Sequence, residues 1–152
     1  MSTFRVYDNG LLRICNDTIS LSTGTVFAVL TSVAHTPNKA THTLYSDISA
    51  NIIADAGYAA QTVTGITITL VPGATPEILI DSANISFGTN VSLTAKWCHL
   101  VWSADGTLNA TDSLLGFVDL NNTSGSAVLT STNGNFAVNT PNGLFGVQNP
   151  NA

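Results

Sequence analysis

Residues 25–33 read TVFAVLTSV, a nearly uninterrupted run of apolar and β-branched side chains. A short run of this kind is typical of a strand that is covered on both faces by the rest of the protein. β-Branched side chains also favour an extended backbone, because they are stiff and pack well on a pleated surface. The stretch therefore predicts the central strand of a sheet, and we expect the rest of the domain to be organised around it.

Residues 62–71, with the sequence TVTGITITLV, predict a second strand. Val63, Ile66, Ile68 and Leu70 alternate with threonines, and this period of two is typical of a strand with one buried face. The alternation changes phase near Gly65, which predicts a β-bulge inside a continuous strand.

Residues 91–102, with the sequence VSLTAKWCHLVW, predict the longest strand. Strict alternation places one set of side chains on a single face: Val91, Leu93, Ala95, Trp97, His99 and Val101. Shorter strands are predicted at 77–80 and 85–87, or as one strand interrupted at residues 81–82, and at 114–120, 127–130 and 135–138. Short strands at regular intervals, separated by turn residues, are typical of a sandwich or barrel. We therefore expect an all-β domain over residues 1–139, either an antiparallel β-sandwich or a β-barrel-like domain, with a long polar loop and extended termini.

Three segments interrupt this pattern. Residues 9–15 (NGLLRIC) follow Asp8, a residue type that often caps helices, and they predict either a helical turn or a short strand. Residues 35–49 form a long polar connection, and loops of this length are usually functional or make contacts. Residues 140–152 form an extended C-terminal tail whose apolar side chains either dock onto a neighbouring subunit or fold back onto the parent sheet.

The polar surface is unusual, because only 9% of the 152 residues are charged, compared with about 25% in an ordinary domain. Ser, Thr and Asn take their place, and burying a hydroxyl or an amide costs less free energy than burying an unpaired ion. This composition favours a surface that packs against other proteins or glycans. With four scattered cations and a net charge of −5, we expect no binding to nucleic acid or to an anionic membrane.

Catalytic and metal-binding patterns are weak. His35 and His42 have no HExxH spacing, and we expect both to be solvated or at an interface, whereas His99 predicts a hydrogen-bonded core histidine. Residues 105–112 loosely match a calcium loop but lack its closing glutamate, and Asp-Gly is also common in hairpin turns. We therefore predict no enzyme activity, no metal and no cofactor, and we expect Cys15 and Cys98 to be buried free thiols.

Several sequence blocks, spread over residues 19–138, resemble a known family. They are FAVLTS at 27–32, TP at 36–37, YSDISAN at 45–51, GY at 57–58, IDSANIS at 80–86, LTAKW at 93–97 and LLGFVDL at 114–120. In this order and spacing the blocks are similar to a family of small tailed-bacteriophage virion structural proteins. The resemblance implies a structural role in the virion, at the capsid surface or at the neck and tail.

The hypothesis that follows is a head decoration or cement protein, which binds the assembled capsid and stabilises it. The expected partners are the major capsid protein, other virion proteins and further copies of the chain, in a trimer or dimer. The chain would be made in the host cytoplasm without a signal peptide and would reside on the virion. Alternatives are a neck, tail or fibre component and a glycan-binding module for host attachment. The candidate contact residues are His35, Lys39, His42, Tyr45, Leu144, Phe145 and Val147.

Overall fold

The computed structural model describes residues 4–72, 77–121, 127–140 and 143–148, which form an antiparallel all-β fold with two short helices. The first half comprises β1 (Arg5–Val6), α1 (Asp8–Cys15), β2 (Thr25–Thr31), α2 (Ser46–Ser49), β3 (Gln61–Thr62) and β4 (Thr67–Val71). The second half comprises β5 (Glu77–Asp81), β6 (Ile85–Ser86), β7 (Val91–Ala95), β8 (Trp97–Ser103), β9 (Ser113–Asp119), β10 (Leu129–Gly134), β11 (Ala137–Val138) and β12 (Phe145–Gln148). The predicted all-β fold class is confirmed.

The strands form one large sheet and three small ones. The large sheet has the order β1-β9-β8-β2-β3, and the small sheets are β10-β7, β11-β6 and β12-β5-β4. All of the described strand pairs are antiparallel. The arrangement is sandwich-like, and the described strands do not close into a barrel.

Strand β2 is central, as residues 25–33 predict. It pairs along its whole length with β8, from Thr25 opposite Ser103 to Thr31 opposite Trp97, and its other edge pairs with β3. Five of its seven residues are buried. Its near-continuous apolar sequence follows from this position, because both faces of the large sheet are covered.

Two apolar clusters cover the two faces of the large sheet. The first cluster lies on the side of the small sheets, where Leu30 and Leu100 pack with residues such as Leu93 and Phe136. The second cluster lies on the opposite face, where Val29 and Val101 meet Tyr7 and Ile48. Neighbouring residues of one strand thus supply different clusters, as the alternation of side chains requires.

The prediction of one bulged strand over residues 62–71 is wrong. The segment contains β3 and β4, which belong to different sheets, and the chain turns between them at Gly65 with φ of +66°. A positive φ is readily adopted by glycine, which has no Cβ to clash. Val63 is buried in the first cluster, whereas Ile68 and Leu70 are exposed, so the alternating apolar residues do not form one buried face.

The prediction of one strand over residues 91–102 is also wrong. The segment contains β7 and β8, which lie in different sheets, and Lys96 connects them. Leu93 and Ala95 share the first cluster with Cys98 and Leu100 rather than with Val101. The phase of alternation therefore changes at Lys96, since one residue between two strands reverses the faces.

Two conformations are predicted for residues 9–15, a helical turn and a short strand, and the structure shows the helix. Tyr7 is the N-cap residue and Asp8 lies in the first turn, where a carboxylate interacts favourably with the helix dipole. Gly10 faces β9 so closely that a Cβ at this position would lie 2.4 Å from the carbonyl oxygen of Leu114. Within the described residues, neither helix is long and apolar enough to cross a membrane.

The described part of the C-terminal segment folds back onto the chain. Strand β12 pairs with β5, from Phe145 opposite Ile80 to Gln148 opposite Glu77, and the backbone NH of Leu144 donates to the carbonyl of Ile80. This is the second of the two alternatives for the tail. Residues 1–3 and 149–152, at the predicted extended termini, lie outside the described residues.

Candidate protein-contact surface and buried histidine cluster

The N-terminal helix and the long polar loop form one continuous surface. The backbone NH of Asp8 donates to the carbonyl of Lys39 at 3.0 Å, and the Lys39 ammonium lies 2.7 Å from the Asp8 carboxylate. Both side chains are more than half exposed, so the ion pair itself contributes little to the free energy of unfolding. Lys39, one of the predicted contact residues, is therefore exposed.

Leu12 adds an apolar group to this surface. It lies one helical turn after Asp8 and is 60% exposed. We call Asp8, Leu12 and Lys39 together the helix–loop surface. The amphipathic pattern of 9–15 contains Leu12, but the sequence does not show which of its leucines faces the sheet, so Leu12 was not among the predicted contact residues.

The expectation that His35 and His42 are solvated or at an interface is wrong for His35, which is buried at 4% exposure. Its ring centroid lies 5.2 Å from that of His42 and 5.0 Å from that of His99. The Trp97 indole donates to the His35 carbonyl at 2.9 Å, which holds the loop against β8. The loop folds over the sheet because these rings pack together, and a polar loop sequence does not reveal such long-range packing.

His99 is the hydrogen-bonded core histidine that the sequence predicts. It is fully buried, its Nδ1 lies 2.9 Å from the Tyr7 hydroxyl, and its Nε2 lies 3.0 Å from the Thr31 hydroxyl. One hydroxyl at each nitrogen suits a neutral imidazole, which donates from one nitrogen and accepts at the other. The hydrogen bond with His99 thereby ties Tyr7, the residue before α1, to the middle of the large sheet.

The cluster disfavours positive charge. Burial lowers the pKa of His35, and the nearby His42 lowers it further. Burial lowers the pKa of His99 well below its usual range, and His35 and His42 act in the same direction. His35 Nε2 is buried and, among the described residues, has no hydrogen-bond partner. Both rings are therefore held neutral, because a proton on either would be buried beside other imidazoles.

Tyr45 and Asp47 secure the other end of the loop. Tyr45 is half-buried against the second cluster, and its backbone NH donates to the carbonyl of Asp112 at 2.8 Å. The Asp47 carboxylate accepts hydrogen bonds from the backbone NH groups of Thr43 at 2.7 Å and Leu44 at 2.9 Å. Partial burial alone would raise the pKa of Asp47, but these hydrogen bonds and His42 outweigh it and lower the pKa.

Two of the three predicted C-terminal contact residues, Leu144 and Phe145, belong to the interior of the same chain. Leu144 and Phe145 are buried in the first cluster, because β12 completes a sheet next to β5. In the single chain, neither side chain is available to a partner. Val147 pairs with Ile78 along the backbone, and its side chain lies outside the described residues.

The Asp105 loop is a hydrogen-bonded turn. Its carboxylate accepts from the hydroxyls of Ser103 and Thr107, the backbone NH of Thr107 and the amide of Asn109. The hydrogen bonds from Thr107, Ser103 and Asn109 lower the pKa of this carboxyl to about 2. Side-chain and backbone donors therefore occupy the carboxylate oxygens of Asp105, the first residue of the segment that loosely matches a calcium loop.

Asp55 also connects a loop to the sheets. The Asp55 carboxylate accepts from the backbone NH of Thr94 at 2.6 Å, which ties the loop before β3 to β7.

In the described part of the chain, no three His, Cys, Asp or Glu side chains are grouped so that they could hold a metal ion. Also within these residues, the large apolar side chains that are exposed are all aliphatic: Leu12, Val33, Ile68, Leu70, Val71, Ile78 and Leu129.

The described residues thus form an exposed surface, the helix–loop surface, and a cluster of three histidine rings packed together in the loop and on β8. In comparisons with known proteins, no family model, no curated protein and no solved structure matches this chain.

Proposed function

We propose that the chain is a bacteriophage virion structural protein, a capsid decoration protein that binds the assembled head through the helix–loop surface. The proposal starts from the sequence blocks that resemble small virion proteins. The structural observation that carries it is the joining of α1 and the long loop by Asp8 and Lys39, which presents Leu12 beside an ion pair. A single exposed leucine is normal on its own, but polar groups around an apolar side chain match the apolar centre and polar rim of many protein interfaces.

The low charge of the chain favours the same role. Binding must remove water from both surfaces, and desolvated charges that remain imperfectly paired reduce affinity. The helix–loop surface includes one acid and one base that neutralise each other, so its burial against a capsid subunit leaves no net charge to compensate. On this proposal, the major capsid protein is the principal partner and the virion surface is the location.

Placement in the neck, tail or a fibre is the alternative within the same class. The number of copies per particle separates the two, since a decoration protein covers the whole shell and a neck or tail protein does not. Quantitative mass spectrometry of purified particles measures this number. Hundreds of copies support the decoration role, whereas a few to a few dozen would place the chain at the neck or tail.

A glycan-binding role has less support from the described residues. Sugar-binding surfaces commonly use an exposed aromatic ring, but the large apolar side chains exposed here are aliphatic. Trp97 and Trp102 are half-buried, and their indoles donate to the backbone carbonyls of His35 and Ser20. A glycan array with the purified protein tests this role directly.

The direct test of the proposal is binding of the purified protein to capsids that lack it. Leu12→Lys would place a cation one helical turn after Asp8 and remove the apolar contact, so we expect it to reduce capsid occupancy at least about tenfold. Leu129→Lys is the matched control, because Leu129 is an exposed leucine on β10. Equal occupancy of the Leu12→Lys variant and the wild type would show that the helix–loop surface does not bind the capsid.

A further inference from the structure

Strand β4 lies at the edge of its sheet. Its described strand partner is β5, which pairs on its other side with β12. All five residues of β4 are exposed, and among the described residues no strand lies along its outer edge. Such an edge presents a row of backbone NH and carbonyl groups whose spacing matches that of another extended strand.

The features that usually protect an edge strand are missing from β4. Its sequence, TITLV, contains no charged residue and no proline. It pairs with β5 in unbroken register, from Thr67 opposite Asp81 to Val71 opposite Glu77, so no bulge turns the edge away. Lysines, prolines and bulges are the common means by which proteins prevent pairing at a free edge.

An apolar patch accompanies the free edge. Ile68 is 56% exposed, Leu70 is 65% exposed, and Ile78, which lies opposite Leu70 on β5, is 45% exposed. Single exposed apolar residues are normal, but adjacent ones on one face of a strand pair are typical of an interaction site. Both the backbone and the side chains of β4 therefore point to a partner.

We propose that β4 pairs antiparallel with β4 of a second copy of this chain, with Thr69 on the two-fold axis. In this register Ile68 lies opposite Leu70 of the second copy, twice by symmetry, and Thr67 lies opposite Val71. Apolar side chains thus meet apolar ones, which is a favourable cross-strand pairing. The two three-stranded sheets become one continuous six-stranded sheet.

The neutrality of β4 and its complementarity to itself favour a second copy as the partner. The chain has a net charge of −5, so two copies repel each other weakly in general. Strand β4 itself has no charged residue, and pairing along it brings no like charges into direct contact. The same neutrality leaves a charged partner no group to recognise. A two-fold interface also needs a surface that is complementary to itself, which β4 provides.

The proposed dimer does not depend on capsid binding, because β4 and the helix–loop surface share no residue. Leu70→Lys and Leu12→Lys therefore separate the two proposals. The first variant should weaken dimerisation and the second should weaken capsid occupancy. If the wild-type protein dimerises but does not bind capsids, only the capsid proposal is overturned. If it binds capsids but does not dimerise, only the dimer proposal is overturned.

The first test is the mass of the purified full chain in solution over a range of concentrations, measured by light scattering and sedimentation. We expect a species of twice the 15.8 kDa chain mass. Leu70→Lys should raise the dissociation constant at least about tenfold, because a lysine at an edge opposes pairing. Leu12→Lys, a change at an equally exposed leucine, should leave it unchanged. A chain that stays monomeric at all concentrations would overturn the proposal.

The second test identifies the register. Directly opposed residues of antiparallel strands have Cα atoms roughly 4.5–5.5 Å apart, which a disulfide can bridge. Thr69→Cys, in a Cys15→Ser background that removes the exposed thiol, should form a covalent dimer upon mild oxidation. Thr132→Cys, on exposed β10, is the control and should remain uncrosslinked. A dimer that neither crosslinks through position 69 nor responds to Leu70→Lys uses another surface, and the proposal is then wrong.

Discussion

The ammonium of Lys96 lies 2.8 Å from the carboxylate of Asp119, although the Lys96 side chain is only 2% exposed. The same ammonium lies 5.3 Å from the centre of the Trp97 ring. The backbone of Lys96 donates to the carbonyl of Thr31 and accepts from the NH of Leu120. The residue at which the chain passes from a small sheet to the large one is therefore bonded to both neighbours of β8.

Asp119→Asn should lower the free energy of unfolding by about 3 kcal/mol, because it leaves a buried ammonium without its carboxylate. Urea denaturation at neutral pH measures the change. Lys39→Met is the control at an exposed ion pair and should cost less than about 1 kcal/mol. Equal effects of the two substitutions would show that the buried pair does not stabilise the junction.

Acid should destabilise the fold through the histidine cluster. The pKa values of His35 and His99 are lowered in the folded state, so below the ordinary histidine value of about 6.5 the unfolded chain binds more protons than the folded one. Stability is therefore fully present above that pH and falls as the pH decreases, by at most about 1.4 kcal/mol per pH unit for each extra proton. Urea denaturation between pH 7.5 and 5.5 measures this slope.

His99→Gln tests the origin of this acid sensitivity. The variant should be less stable at neutral pH, since it disturbs the contacts with Tyr7 and Thr31, but its stability should depend less on pH. The comparison uses the slope of the free energy of unfolding against pH, not its absolute value. Lost packing contacts lower the free energy of unfolding at every pH, whereas loss of a titrating group changes the slope. An unchanged slope in His99→Gln and in His35→Gln would place the sensitivity elsewhere in the protein.

Gly10→Ala should destabilise the protein by about 1–3 kcal/mol, because the new Cβ would lie 2.4 Å from the carbonyl oxygen of Leu114. Helix propensity alone predicts the opposite sign, a gain of about 1 kcal/mol. Thermal unfolding decides between them. Leu12→Ala, at an exposed position of the same helix, should change stability by no more than about 0.5 kcal/mol.

The two cysteines should differ in reactivity. Cys15 is exposed, so the prediction of two buried thiols is wrong for this residue, whereas Cys98 is fully buried and burial raises its pKa. A thiol reacts as the thiolate, so Ellman's reagent should label one cysteine rapidly in the native protein and both in denaturant. Cys15→Ser should abolish the rapid phase. Rapid labelling of two thiols under native conditions would contradict the placement of Cys98 in the first cluster.

The local sequence pattern determined that this chain forms strands and where many of them lie. Residues 25–33 contain β2, and residues 114–120 contain most of β9, because a run of apolar and β-branched side chains favours an extended, covered backbone wherever it packs. His99 was likewise predictable as a core residue, since an apolar strand surrounds it. The phage resemblance and the contact surface remain predictions for experiment.

Only the tertiary structure decided how these strands group into sheets. Gly65 and Lys96 each interrupt a segment that looks like one continuous strand. When a strand ends one residue early, every later side chain points to the opposite face of the sheet from the one that the alternation predicts. His35 is buried for the same reason, because its cover comes from β8, more than sixty residues later in the chain. Alternation within a strand is a local property, whereas sheet membership depends on pairing between residues distant in sequence, and no short stretch of sequence contains that information.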